Sequence, residues 1–136
     1  MKRYILDTGI VSDLLNNLGG VGTRVWEERR RGNRVGTVMP VVAELYYGAE
    51  NSTTRDENLG LLSRSLNKLI VWPFERSAAE EYGRLATELR RIGRPIQVID
   101  MMTASIALTM GNCIVVSKDS DFKVVPGLKV ENWIGS

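Results

Sequence analysis

The sequence predicts an α/β domain of three layers, with a central, mostly parallel sheet of four to five short strands flanked by helices. Three observations predict it. Short apolar runs alternate with longer stretches of helical spacing. The runs are apolar throughout rather than alternating, as strands covered on both faces require. Glycine and proline mark the boundaries, and 136 residues suffice for one core but not comfortably for two. Residues 1–136 therefore read as a single domain, without repeat or linker.

The elements follow in order. "RYIL" is a short buried strand, and "GIVSDLLNNLGG" a helix with Ile10, Leu14, Leu15 and Leu18 on one stripe, ended by glycines. "GTRVWEERRRG" is a second short helix closed by Gly32, and "RVGTVM" a second strand. Pro40 suits the first turn of the helix "PVVAELYYGAE". "TTRDENLGLLSRSLNKL" carries helical spacing at Leu59, Leu62, Leu66 and Leu69, opened by a capping box, Thr54-x-x-Glu57. "LIVW" is a third strand stopped by Pro73. Ser77-x-x-Glu80 caps the helix "SAAEEYGRLATELRRIG", which Gly93 and Pro95 break. "QVIDMMTASIALTMG" is a helix buried on most sides, "CIVVS" a fourth strand, and "LKVENW" a short edge strand.

Composition narrows the chemistry. There is no histidine, which excludes Ser-His-Asp and Cys-His systems, His general bases and His-ligated zinc. Hydrolysis would have to rest on carboxylates, hydroxyls, lysine or a hard metal. The single cysteine, Cys113, lies in an apolar run and rules out a disulfide framework. "MKRYILDTG" meets an acid after three apolar residues and is no signal peptide, and no run approaches a membrane span, so a reducing cytoplasm is expected.

Most of the 16 acids keep polar company, Glu27 and Glu28 among them, on what read as solvated helix faces. Four do not. Asp7 ends "YIL", Glu44 interrupts "PVVAELYY", Asp100 interrupts "IQVIDMM", and Asp119 follows "CIVVSK". Asp13 is a fifth, weaker case. A buried carboxylate costs several kcal/mol unless it is paired or metal-bound. In an open parallel sheet ligands bind beyond the carboxyl ends of the strands, and all four positions fall at that edge. Clustered carboxylates call for a cation, and an all-oxygen donor set selects Mg²⁺ or Mn²⁺. Taken singly, Asp7 serves equally as an N-cap, Asp100 as the cap of the helix after Pro95, and Asp119 as an Asx turn with Ser120. Only Glu44 has no such alternative. Asp7-Thr8-Gly9 also spells an aspartic-protease dyad, but that site needs an all-β fold, which the helical segments oppose.

"YILDTGIVSDLL", "VVAELYYGA", "IDMMTASIAL" and "VVSKDSDFKVVPGLKVENW", in this order and spanning nearly the whole chain, resemble PIN-domain proteins, specifically the VapC-like ribonuclease toxins. The resemblance implies a PIN-like fold and metal-dependent endoribonuclease action as the toxin of a toxin–antitoxin pair. A cognate antitoxin would be one partner and a second copy, in a homodimer, another. It implies Asp7, Glu44, Asp100 and Asp119 as catalytic acids and metal ligands. Asp121 fills the second acid of an S/T-x-D-x-D-F segment, leaving open which of the two lies nearer the metal. Thr8 and Ser117 match supporting hydroxyls. Setting aside the four acids leaves 12 against 18 basic residues, a net +6 suited to RNA, with Arg29, Arg30, Arg31, Arg34, Arg91 and Arg94 as candidate contacts. The alternative is a non-catalytic module that binds RNA or protein.

Overall fold

Five strands pair in the order β3-β2-β1-β4-β5, every pair parallel, in the computed structural model, which describes residues 1–134. Positions 135 and 136 of the expected domain lie outside the described residues. The strands are β1 (Arg3–Leu6), β2 (Arg34–Val38), β3 (Ile70–Trp72), β4 (Cys113–Val116) and β5 (Lys129–Glu131). The helices are α1 (Thr8–Leu15), α2 (Val21–Arg30), α3 (Met39–Glu50), α4 (Arg55–Leu66), α5 (Arg76–Arg91) and α6 (Val98–Met110), with a 3₁₀ turn at Ser120–Val124 before β5. Among the described residues, no helix is long and apolar enough to cross a membrane.

Successive strand residues face opposite sides of a sheet. Tyr4, Ile5 and Leu6 are all buried, as are Cys113 to Val116, so β1 and β4 are covered on both faces. That makes the three layers. The edge strands β3 and β5 have three residues each, short enough to offer little template for a foreign strand. Gly36 in β2 is fixed by packing: a Cβ there would lie 2.2 Å from the Ile70 carbonyl oxygen.

β1 sits at the centre, with β2 on one side and β4 on the other. The order reverses there, and the crevice beyond the ends of β1 and β4 is the topological switch point. Two hydrogen bonds stiffen this crevice from below. The Asp7 amide donates to the Val116 carbonyl (3.1 Å), and the buried Thr37 hydroxyl donates to the Leu6 carbonyl (2.6 Å).

Four details differ from the sequence reading. First, α1 ends at Leu15, not at the glycines. Asn16 turns its amide onto the Ser12 carbonyl and Asn17 adopts φ 55°, so short polar side chains end the helix early and leave Leu18 exposed. Second, Thr54 stands at the N-cap of α4 without a side-chain bond, because its backbone (φ −111°, ψ 50°) is not the extended cap geometry. Third, α5 begins at Arg76 behind an extended Glu75, which places Ser77 inside the helix instead of capping it. Fourth, Glu28 is buried, at 2% exposure, where the sequence suggested a solvated face. It accepts hydrogen bonds from Arg24 (2.8 Å), Arg31 (3.1 Å) and Asn33 (2.9 Å). Arg24 continues to Glu131 and lies over the Trp133 ring, tying α2 to the C-terminal segment.

Candidate active site

Each predicted acid reaches the switch point by a different route. Asp7 follows β1 directly. Its carboxylate caps α1 by accepting from the Ile10 amide (2.9 Å), so capping and site placement coincide in one residue. Asp119 follows β4 and caps the 3₁₀ turn, accepting from the Asp121 amide (2.9 Å), while its own amide donates to the Ser117 hydroxyl (2.9 Å). Asp100 sits in the first turn of α6, whose other end feeds β4. Glu44 projects, half-buried, from the second turn of α3.

Carboxylate oxygens of Asp100, Asp119 and Asp121 lie within 4.8 Å of one another, so both acids of the "DSD" segment meet Asp100. Asp7 and Glu44 stand around this group without entering the tight trio, yet both act on Asp100 by their charge. Burial first, then the charges of Asp7, Asp119, Glu44 and Asp121, push the Asp100 carboxyl up to about 6. Asp7 is also raised, chiefly by burial and further by Asp119. The Ser117 hydroxyl, the Ile10 amide and the Lys118 charge oppose that rise. A cluster whose charges raise the pKa of Asp100 and Asp7 is short of a cation. The donors are all oxygens, which suits a hard divalent ion rather than zinc or iron. Thr8 adds an independent sign: its Oγ1 is sealed from solvent without a protein partner. It lines a cavity of about 610 Å³ between α1, α3 and α4, together with Glu44, Ser12, Asn58 and Tyr47.

The basic residues divide. Arg94 shares a groove of about 880 Å³ with Asp121, Ser120 and Lys123, next to the acids, and Arg91 lies on the last turn of α5, which leads there, pairing with Glu88. Arg34 opens β2 and so stands at the opposite edge of the sheet. Arg29, Arg30 and Arg31 close α2 at that same far edge. They are engaged with the Lys68 carbonyl, the Trp26 ring and Glu28, respectively. The candidate RNA contacts are thus brought to the site only in part.

Two residues carried too weak a signal, or none, in the sequence. Asp13 is 8% exposed, and its Oδ2 lies 2.8 Å from Lys118 Nζ, an ion pair that joins α1 to the loop after β4. Valine and leucine neighbours in "VSDLLNN" hinted at the burial of Asp13, but the asparagines after it pointed the other way. Nothing local marked Lys118, whose partner is 105 positions away by number.

The PIN domain family profile matches residues 4–128. The chain is 31% identical to Ribonuclease VapC2 of Haemophilus influenzae, over 98% of this chain and 100% of that protein. It is 29% identical to the tRNA(fMet)-specific endonuclease VapC of Shigella flexneri, over 98% and 99%. Among solved structures it is similar to VapBC2 from Rickettsia felis bound to a DNA fragment from their promoter. There the identity is 30% and the TM-score 0.87, covering 96% of this chain and 98% of that one. The acids that β1, α3, α6 and the β4 loop deliver to one crevice thus sit in a scaffold shared along nearly its whole length, and the chain belongs to the PIN-domain family, in its VapC group.

Proposed function

We propose that the protein is an endoribonuclease that hydrolyses RNA phosphodiester bonds with Mg²⁺ or Mn²⁺, and that it acts as the toxin of a toxin–antitoxin pair. One observation carries the reading: acids from four distant segments converge at the switch point of a chain that belongs to this family. Asp100, Asp119 and Asp121 would hold the ion, with Asp7 adding charge from the end of β1. A bound ion of this kind supplies Lewis acidity and offsets the negative charge that builds up at a phosphodiester. Ser117 keeps the loop in register by bridging toward Asp7 and Asp119. Glu44 and Thr8 share a cavity wall, and the half-buried Glu44 carboxylate would accept a hydrogen bond from a water there. Arg94 and Lys123 offer phosphate contacts along the neighbouring groove.

The antitoxin would occupy a second surface. Trp26 is 59% exposed and borders an apolar groove of about 430 Å³ formed by Leu14, Leu15, Val25, Leu61 and Leu69 between α1, α2 and α4. Arg29 and Lys68 flank it, so an apolar segment bearing acidic residues fits. A homodimer and a cytoplasmic location complete the proposal.

The test is cleavage of RNA, beginning with tRNA because the Shigella relative is named for one. Cleavage should need Mg²⁺ or Mn²⁺ and stop with EDTA. Asp7→Asn and Glu44→Gln should each lower kcat by about 100-fold or more. Undiminished cleavage by both variants would remove these acids from the reaction.

A further inference from the structure

The crevice gathers five carboxylates, and its proposed substrate is also an anion. With no histidine in the chain, any cationic side chain that meets the phosphate must be a lysine or an arginine. Arg94 and Lys123 flank Asp121 in the neighbouring groove, and a third cation approaches from the side of Asp7. Lys118 lies between Ser117 and Asp119 in the loop after β4, and its stem crosses Gly9. A Cβ on Gly9 would sit 3.7 Å from Lys118 Cε and 3.8 Å from Asp7 Oδ1, so the lysine stem and the Asp7 carboxylate both border this residue. The Lys118 charge is felt at Asp7.

Asp13 fixes the far end. Its side chain is 12% exposed, and its Oδ2 is shut off from solvent and meets Lys118 Nζ at 2.8 Å, whereas the Lys118 side chain is 49% exposed. The Asp13 oxygen therefore has the ammonium as its partner, and moving Lys118 away would leave a nearly buried charge uncompensated. The contact is an ion pair rather than a hydrogen bond, so the donors of the ammonium remain open to a further acceptor. A free surface lysine loses rotamer entropy when it is immobilised. Asp13 removes part of that loss before any ligand arrives.

We propose that Lys118 is a catalytic residue that donates a hydrogen bond to a non-bridging oxygen of the scissile phosphodiester, and that Asp13 is the positioning residue that aims it. The proposal rests on the ribonuclease reading above and adds a named substrate contact to it. No proton is transferred in this step. The ammonium stabilises charge that grows on the phosphate as water attacks, as a preorganised donor does in an oxyanion hole.

The experiment compares Lys118→Met, Lys118→Arg and Asp13→Asn with the unaltered protein. It reads steady-state cleavage of a fluorescent RNA oligonucleotide and, separately, Mn²⁺ binding by calorimetry without RNA. Lys118→Met should lower kcat about 100-fold while binding Mn²⁺ at least as tightly, because a positive charge near the ion has gone. Lys118→Arg should recover to within about 10-fold of the unaltered protein. Asp13→Asn should lose about 10-fold, mainly in kcat rather than KM, because the lysine is present but no longer aimed. Unchanged kcat and KM in Lys118→Met overturns the proposal. So does a loss of activity matched by weaker Mn²⁺ binding, since the pair would then be a strut that spaces the acids. A parent protein that cleaves no RNA, or cleaves it in EDTA, refutes the ribonuclease reading instead.

Discussion

Replacing Asp100 with asparagine should stabilise the metal-free protein at neutral pH, although it removes an acid from the site. The Asp100 carboxyl stands at about 6 against an ordinary 3.8, through burial and then the charges of Asp7, Asp119, Glu44 and Asp121. Its folded pKa lies above its unfolded one, so its ionisation opposes folding at every pH above about 6. That cost fades as the pH falls through 6 and is gone below 3.8, where both states carry the proton. The gap converts to about 3 kcal/mol in full. Asp100 is only half-buried at the rim of an open crevice, and solvent screening brings this down to about 1.5 kcal/mol. For a chain of this size that is roughly 5 °C in Tm. Thermal and urea unfolding in EDTA should therefore show Asp100→Asn above the parent by that amount at pH 7.5, with the difference closing by pH 4. Mn²⁺ should reverse the order: at 100 times its Kd an ion stabilises the parent by about 2.7 kcal/mol, and the variant much less. A variant no more stable than the parent at pH 7.5 in EDTA, or one whose advantage persists unchanged at pH 4, refutes the electrostatic account.

Three further outcomes are expected. Glu28→Gln should lower stability by about 1–3 kcal/mol in urea unfolding without changing Mn²⁺ affinity, because the amide removes the charge that Arg24 and Arg31 pair with and one of the two acceptor oxygens, far from the acid cluster. Gly36→Ala should cost about 3 kcal/mol or prevent folding, read from the urea midpoint, since the added carbon would meet the Ile70 carbonyl at 2.2 Å. Trp26→Glu should abolish binding of the antitoxin in a pull-down with purified partner while RNA cleavage stays at the parental rate, since Trp26 lies in the groove of α1, α2 and α4, away from the crevice.

The sheet was legible because its strands obey the simplest rule available: short apolar runs, buried on both faces, separated by helical spacing. "RYIL" became β1 residue for residue. Helix ends were less legible because they depend on backbone angles that sequence spacing does not encode. Thr54-x-x-Glu57 has the letters of a capping box, but Thr54 lacks the extended backbone that would aim its hydroxyl. Among the acids, misplacement within apolar runs singled out Asp7, Glu44 and Asp100, and the fold does bring these three to one crevice. Misplacement could not rank Asp119 against Asp121, since two neighbours in one loop share a polarity and differ only in where a 3₁₀ turn points them. Glu28 was misjudged for the opposite reason: in "EERRRGNR" its partners are adjacent, and a buried network of neighbours looks in one dimension like a solvated helix end.

Glu28 and Asp100 also show which property separates a structural acid from a site acid. Burial pushes the carboxyl of both upward as the first and largest effect. At Glu28, hydrogen bonds from Arg24 and Asn33 and the charges of Arg24 and Arg31 outweigh it, and the group ends below its ordinary value. That acid is satisfied by the protein itself and asks for nothing further. At Asp100 every further influence is another carboxylate, and all of them push the same way. Asp13 stands with Glu28 in having a cation of its own, but its cation is half exposed at the rim of the acid cluster. Burial alone would have grouped these residues together. The sign of the charge around each one divides them, and the uncompensated negative charge around Asp100 is what supports the metal site proposed for this crevice.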